Sequence, residues 1–331
     1  MSSPDADAAA TQSGLRTVFM GTGEIGLPAF EHLLTRHDCL TVGVVTQPDK
    51  PAGRHRELKS SVIKSAALQA GIPVFQPVSL KQPDALTVIK SWEPDLVVVM
   101  AFGQILPQSV LDLPRLACLN LHASILPKFR GASPIHAVIA AGESRTGVTA
   151  MHMASGLDTG DVVLIEPEAI KRRDTAGSLH DRLAHTATKA LDRALQALIT
   201  GTATRVPQDH ELATYAGKLS RVDALIDWTA GAEEIERRIR AMNPWPAAWT
   251  TLPLQDGTQR EVKIFSAILK RKRSGKAGEI LEVGNDGILI AAERGAILLR
   301  EIQMEGRKRM LAGVWQRGTP VILGGIAGKI G

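Results

Sequence analysis

Apolar positions in the first half of the chain come in short unbroken runs. Thr17 to Met20, Leu40 to Val45, Pro73 to Phe75, Asp95 to Met100, Cys118 to His122 and Val148 to Met153 read as strands. The Asp95 to Met100 run is continuously apolar at its centre rather than alternating. Leu27 to Leu34 and Ser60 to Ala70 carry helical spacing, with Val62, Ala66 and Ala67 on one face of the second. Such strands separated by helices predict a parallel sheet covered on both faces. Leu179, Leu183, Ala187, Leu191, Leu195 and Leu198 recur at three- and four-residue steps, predicting an amphipathic helix over Leu179 to Ile199.

The texture changes beyond that helix. Gly201 to Leu219 is polar and turn-rich. Ala232 to Met242 reads as a helix with Glu233, Glu234 and Glu236 early and Arg237, Arg238 and Arg240 late, the order that suits a helix dipole; Asn243-Pro244 ends it. Short strands follow at Val262 to Ile268, Gly278 to Val283, Ile288 to Ala291 and Ala296 to Ile302. Gly284-Asn285-Asp286-Gly287 is a hairpin turn joining the middle pair. The expectation is an α/β, Rossmann-like, open and mostly parallel sheet followed by a small antiparallel β-barrel of OB-like type. Its divisions are a disordered tail over 1–14, a first domain over 15–204, a linker over 205–222 and a second domain over 223–331.

Composition narrows the class. The chain has 331 residues, 44% of them hydrophobic, and only two cysteines, Cys39 and Cys118, in no CxxC pattern. That excludes a disulfide framework and a cysteine-based zinc site, and suits a reducing compartment. No apolar run reaches the ~18 residues of a membrane span. The first fourteen residues hold two aspartates and no basic residue, so they read as neither signal nor transit peptide, and a cytoplasmic location is expected. Net charge is +5. From Val206 onward Lys and Arg number 19 against 15 acids, and before it 20 against 19. Clusters at Lys270 to Arg273 and Arg307 to Arg309 are either a solvated face or a grip for a polyanion.

Two motifs compete for the chemistry. Gly21-Thr22-Gly23-Glu24-Ile25-Gly26 fits GxGxxG between a strand and a helix, the dinucleotide fingerprint. That fingerprint also needs an acid closing the second strand. Here the strand runs into Thr46-Gln47-Pro48, with Asp49 past a proline, so an NAD-dependent dehydrogenase is the weaker alternative. The second motif is Cys118 onward, CLNLHASILPKFRGASPI. Asn120 and His122, two apart on a strand, share a face, and polar residues at the carboxyl mouth of a parallel strand lie where open α/β sheets bind ligands. Asp158 follows in the loop Gly156-Leu157-Asp158-Thr159-Gly160.

Asn120, His122, Ser124, Leu126, Pro127, Gly131 and Asp158, in that order, resemble the signature of the folate-dependent formyltransferases. The resemblance implies Asn120, His122 and Asp158 as catalytic residues. Asn120 would steady an oxyanion, His122 would stabilise charge or shuttle protons, and Asp158 would orient His122. It implies a folate site at Phe102, Gly103, Gln104, Ile105 and Leu106 together with Ser124, Ile125, Leu126 and Pro127. The co-substrate is then 10-formyltetrahydrofolate, with no metal, no NAD and no covalent intermediate required. Within the family, Thr46 to Arg54, Val74 to Pro77, Lys218-Leu219-Ser220, Ile226-Asp227-Trp228 and Asn243-Pro244-Trp245-Pro246 are similar to the branch acting on methionyl-tRNA. That branch implies a charged initiator tRNA as partner, contacted by Arg54, Lys218 and Arg221, and no membrane. The first loop departs from the common Gly-Thr-Pro-Asp-Phe, and Lys128-Phe129-Arg130 stands where Arg-Trp-Arg is common. The nearest rival within the family formylates an amino sugar nucleotide.

Overall fold

The computed structural model describes residues 14–52 and 57–328, so most of the expected tail, and Arg54 in the insertion, lie outside the described residues. The chain divides into two compact units. The first is built from residues up to Arg130 with Gly147–Glu168 and Asp181–Thr214; the second takes Gly131–Thr146, Ala169–His180 and the remainder from Tyr215.

In the first unit the strands are β1 (Leu15–Gly21), β2 (Cys39–Val45), the short β3 (Lys50–Ala52) and β4 (Glu57–Lys59), β5 (Val74–Phe75), β6 (Leu96–Met100), β7 (Ala117–His122), β8 (Arg145–His152) and β9 (Val162–Ala169). Seven of them form one sheet in the order β5-β2-β1-β6-β7-β8-β9, while β3 and β4 pair separately as a hairpin. Ladders among β5, β2, β1, β6 and β7 are parallel, and β8 runs antiparallel to β7. Every residue of β6 and of β7 is buried, which is why both read as unbroken apolar runs with only Asn120 and His122 interrupting. Val97, Val99, Phe102, Leu106 and Cys118 share one core cluster with Val18 and Met20. Each fully buried aliphatic side chain contributes roughly 1.5–3 kcal/mol.

The α-helices among the described residues are α1 (Leu27–Thr35), α2 (Val62–Gln69), α3 (Pro83–Ser91), the single turn α4 (Gln108–Leu111), α5 (Pro134–Ala141), α6 (Ala176–Ile199), α7 (Ala232–Ala241) and α8 (Ala312–Gly318). Ser61 caps α2 by accepting from the amide of Lys64 at 3.1 Å. Its buried residues are Ile63 and Ala67 rather than the expected Val62, Ala66, Ala67 face.

In the second unit β10 (Ala248–Pro253), β11 (Gln259–Lys270), β12 (Ile280–Gly284), β13 (Gly287–Ala291), β14 (Ala296–Met304) and β15 (Met310–Leu311) form an antiparallel sheet. The order is β10-β11-β14-β13-β12, with β15 beside β14; among the described residues the named ladders leave β10 and β12 as edges, a half-barrel. The predicted hairpin forms, pairing Gly284 with Gly287. Gly287 has φ 134°, and a side chain there would strike the Leu299 carbonyl at 2.0 Å. The α7 helix buries Ile235 and Ile239 and opens with Glu233 and Glu234. No helix among the described residues is long and apolar enough to cross a membrane.

The stretch read as a linker is not all surface chain. Val206 bridges to Val162, and Gln208 and Ala216 are buried.

Candidate active site

Strand β7 delivers Asn120 and His122 to one face, as period two requires, and both are buried. The loop after β8 brings Asp158 to them. One Asp158 carboxylate oxygen accepts from Asn120 Nδ2 at 3.4 Å, and the other lies 3.5 Å from His122 Nδ1. The opposite ring nitrogen, Nε2, lies 3.0 Å from the carbonyl oxygen of Phe129. A carbonyl only accepts, so Nε2 carries a hydrogen and donates it.

Asp158 reaches this position at φ 51°, in the left-handed region, where Asp and Asn are the best-tolerated residues with a side chain. Gly160 is packed so closely that a Cβ would sit 1.7 Å from the His152 carbonyl oxygen, which fixes glycine at that end of the loop. Across the ladder from His122 stands Thr149. Its hydroxyl donates to the Ser124 carbonyl at 2.6 Å and accepts from the Leu126 amide at 3.1 Å, stapling the loop after β7.

The expected folate residues divide by exposure. Phe102, Leu106, Ser124 and Leu126 are buried, the first two in the core of the sheet, whereas Ile105 is 76% exposed. The Ser124 hydroxyl donates to the Lys128 carbonyl at 2.7 Å. Gln104 is held by both ends, accepting from the Leu80 amide and donating to the Pro77 carbonyl, each at 3.0 Å. Gly103 has φ 82°, and Ile125 and Pro127 are half-buried. The side chains of Leu106 and Leu126 are thus committed to packing, whereas that of Ile105 is exposed.

The glycine-rich first loop is also committed. The amides of Thr22 and Gly23 both donate to the Ala101 carbonyl at 3.2 Å, so they are not turned toward a pyrophosphate. Asp49, the candidate ribose acid, accepts from Lys64 Nζ at 2.6 Å, Gln76 Nε2 at 2.8 Å and Ser60 Oγ at 3.2 Å. The hydrogen bond from Lys64, then that from Gln76, holds its carboxyl below the usual carboxylate range. Among the described residues no group of three or more His, Cys, Asp and Glu is placed to hold a metal ion.

Of the expected tRNA contacts, Lys218 is exposed. Arg221 pairs with Glu261 and lies over the Trp249 ring, 5.2 Å from its centroid. Both belong to the second unit, where a groove of about 950 Å³ is bordered by Arg172, Arg173, Arg237, Arg240, Arg271 and Arg300. Glu236 pairs with Arg240 and Glu233 with Arg271.

Residues that sequence reasoning passed over complete this corner. Gln208 donates to the carbonyls of Asp158 and Gly160 at 2.9 and 2.8 Å, and accepts from buried Arg130. A polar stretch after a proline carries no periodic signal that would have marked Gln208.

The family model for formyl transferase matches residues 15–195, and the one described as formyl transferase, C-terminal domain, matches residues 218–320. The chain is 46% identical over 297 residues to the methionyl-tRNA formyltransferase of Akkermansia muciniphila, covering 89% of this chain and 94% of that one. It is 43% identical over 316 residues to that of Methylacidiphilum infernorum, covering 95% and 98%. Among solved structures it is similar in fold to WlaRD, a sugar 3N-formyl transferase crystallised in the presence of dTDP and 5-N-formyl-THF. The TM-score is 0.63 at 19% identity, covering 89% of this chain and 99% of that one. HypX from Aquifex aeolicus in complex with tetrahydrofolic acid gives a TM-score of 0.59 at 18% identity, over 92% of this chain and 47% of that one.

Proposed function

The chain belongs to the methionyl-tRNA formyltransferase family of formyl transferases, and from that membership we propose that it moves the formyl group of 10-formyltetrahydrofolate onto the α-amino group of methionyl-initiator tRNA. The observation that carries this reading is the Asp158 carboxylate set between Asn120 and His122 at the end of β7. The transfer is an acyl exchange. The amine nitrogen bonds to the formyl carbon, the bond from that carbon to N10 of the folate breaks, and one proton passes from the amine to N10.

Asn120 supplies an amide N–H to the oxyanion that forms on the way, a role worth about 3–4 kcal/mol. His122 takes the amine's proton at Nδ1 through a bridging water, because Nε2 already carries hydrogen for Phe129. The Asp158 carboxylate then faces the imidazolium at Nδ1. The folate lies along Phe102 to Leu106 and Ser124 to Pro127, held by backbone groups and covered by Ile105. Residues 15–204 form the catalytic part and 223–331 the tRNA-binding part, joined by 205–222. The arginine-bordered groove supports a phosphate grip in the second unit, to which Lys218 and Arg221 add, while Arg54 reaches the acceptor end.

The test is a formylation assay with 10-formyltetrahydrofolate and charged initiator tRNA, run beside a dTDP-amino sugar and reduced nicotinamide. Formyl transfer to the tRNA alone is expected. Transfer only to the sugar nucleotide would overturn the tRNA assignment.

A further inference from the structure

A closed circuit of contacts runs through the catalytic corner. From His122, Nε2 donates to the Phe129 carbonyl at 3.0 Å. The next residue along the chain is Arg130, which is 1% exposed. Its Nη2 and Nε donate to a single acceptor, Gln208 Oε1, at 2.7 and 3.1 Å. The amide nitrogen of Gln208 then donates to two carbonyls of the next loop, Asp158 at 2.9 Å and Gly160 at 2.8 Å. The Asp158 carboxylate returns to His122 Nδ1 at 3.5 Å.

The chemistry allows only one orientation of this relay. A guanidinium donates and never accepts, and backbone carbonyls accept and never donate. Gln208 must therefore point its oxygen at Arg130 and its two N–H groups at the loop. Hydrogen bonds from a cation polarise the amide and strengthen its own donation. The frame is tied down at its far end as well. The amides of Phe129 and Arg130 donate to the hydroxyl and carbonyl of Thr214, both at 2.8 Å.

Two backbone positions in the circuit need such a frame. Phe129 has φ 59° and Asp158 has φ 51°, left-handed conformations that are strained in residues with a side chain and persist where surroundings over-determine them. Both place an oxygen against a ring nitrogen of His122. Arg130 and Phe129 are adjacent, so one dipeptide orients the imidazole through its carbonyl and the facing carboxylate through Gln208.

We propose that Gln208, backed by the buried guanidinium of Arg130, is a positioning residue that sets Asp158 against His122. The inference rests on the formyl-transfer reading for its kinetic consequence and on geometry alone for its structural one. The informative variant is Gln208→Glu. Its carboxylate keeps acceptors for Arg130 but offers no N–H to the Asp158 and Gly160 carbonyls, so packing is retained while the loop is released.

The expected result is a kcat reduced by ~10- to 10²-fold, since displacements of about 1 Å cost that much. The KM for both substrates and the melting temperature should stay within about twofold and a few degrees. Gln208→Ala placed in an Asp158→Asn background should add no further loss of kcat, because Gln208 acts through Asp158; a merely structural role gives additive losses. Additive losses, or a wild-type kcat in folded Gln208→Glu, would overturn the proposal. A second readout needs no substrate. In nitrogen-15 spectra the His122 Nδ1 resonance should move in Gln208→Glu while Nε2 stays, and an unmoved Nδ1 overturns the inference whatever the enzyme acts on. Should Gln208→Glu not fold, Arg130→Lys, which keeps the charge but loses the forked donation, is read in the same spectra by the same criterion. An inactive wild type, by contrast, sinks the formylation reading and leaves this spectroscopic test standing.

Discussion

The imidazole of His122 and the carbonyl of Phe129, seven positions apart, meet at 3.0 Å, and this contact assigns the ring's hydrogen to Nε2. In the neutral ring the Nδ1 lone pair then faces the Asp158 carboxylate at 3.5 Å. Two acceptors in that position leave room for one proton between them, which is where a base should receive it.

Replacing either partner of that pair should therefore stop proton handling without unfolding the protein. Asparagine at 158 tolerates the left-handed backbone but offers an N–H to Nδ1, holding the lone pair occupied. Asp158→Asn and His122→Ala should each lower kcat by at least ~10², with melting temperatures close to wild type. Steady-state formylation kinetics and thermal melts check this together; near-normal turnover in either variant removes that residue from the mechanism.

Ile105 and Leu106 are neighbours with opposite exposure. Ile105 is 76% exposed and Leu106 only 4%. Ile105→Glu should raise the KM for the folate and leave stability alone, because it alters only the surface offered to the ligand. Leu106→Ala should cost about 2–5 kcal/mol of stability from the cavity it opens in the core. Folate titration and denaturant melts of the two variants separate these outcomes, and a Leu106→Ala variant as stable as wild type would contradict the packing described.

Both cysteines should be silent in the native protein. Burial pushes the Cys118 thiol up to about 12, and burial, then the nearby Asp38 carboxylate, raises Cys39. The thiolate is the reactive form, so an alkylating reagent at pH 8 should modify neither residue until denaturant is added, when both react. Stoichiometry by mass spectrometry reads this directly, and native labelling of Cys118 would show that β7 opens.

Part of this site was legible in the sequence because strands carry period two. Asn120 and His122 interrupt an otherwise apolar run at i and i+2, so their common face followed from spacing alone. Asp158 became visible only through its place in a motif, since a carboxylate between glycines is otherwise an ordinary turn. Gln208 and Arg130 were not legible. They meet across 78 residues, and a polar residue in a turn-rich stretch looks the same whether it faces solvent or a buried guanidinium. Helix α3 carries a weak signal as well: only Ala85 and Ile89, one turn apart, are buried behind a first-turn Pro83. The strand β9 carries Pro167 inside it, which weakens the pattern of a strand.

Acid should weaken the fold through His152. This residue is buried, and its Nε2 has no hydrogen-bond partner among the described residues. Burial, then the Arg205 cation, lowers its pKa from the ordinary value of about 6.5, while Asp161 opposes them. A lowered folded value means that the unfolded chain takes up a proton first as pH falls. The associated stability is present above about 6.5 and is lost as pH drops through the lower folded value. The urea midpoint should fall between pH 7.5 and 5.5, and His152→Leu should reduce that fall. Burial also lowers His136, so part of the pH dependence should remain. An unchanged pH dependence in His152→Leu would assign the effect elsewhere.

A polyanionic substrate has to be both held and aimed. Before Val206 the basic and acidic counts nearly cancel, whereas the excess lies after it. The second unit carries the groove bordered by arginines, in which Arg240 and Arg271 are already paired with Glu236 and Glu233. Arg172 and Arg173, exposed on its border, are better placed to exchange counterions for phosphates. Each phosphate contact contributes about 0.7–0.9 to the slope of log affinity against log salt. Arg172→Ala with Arg173→Ala should therefore weaken tRNA binding and flatten that slope by up to about 1.4–1.8, leaving folate affinity unchanged. Arg54→Ala should behave differently, because its proposed task is to aim the aminoacyl end. A misplacement of about 1 Å can cost ~10² in rate, so kcat should fall further than affinity, with little change in slope. Binding measured at several salt concentrations, beside single-turnover formylation, resolves the two effects. If the double variant keeps the wild-type slope, the groove does not grip phosphate; if Arg54→Ala alters only the slope, the insertion holds rather than aims.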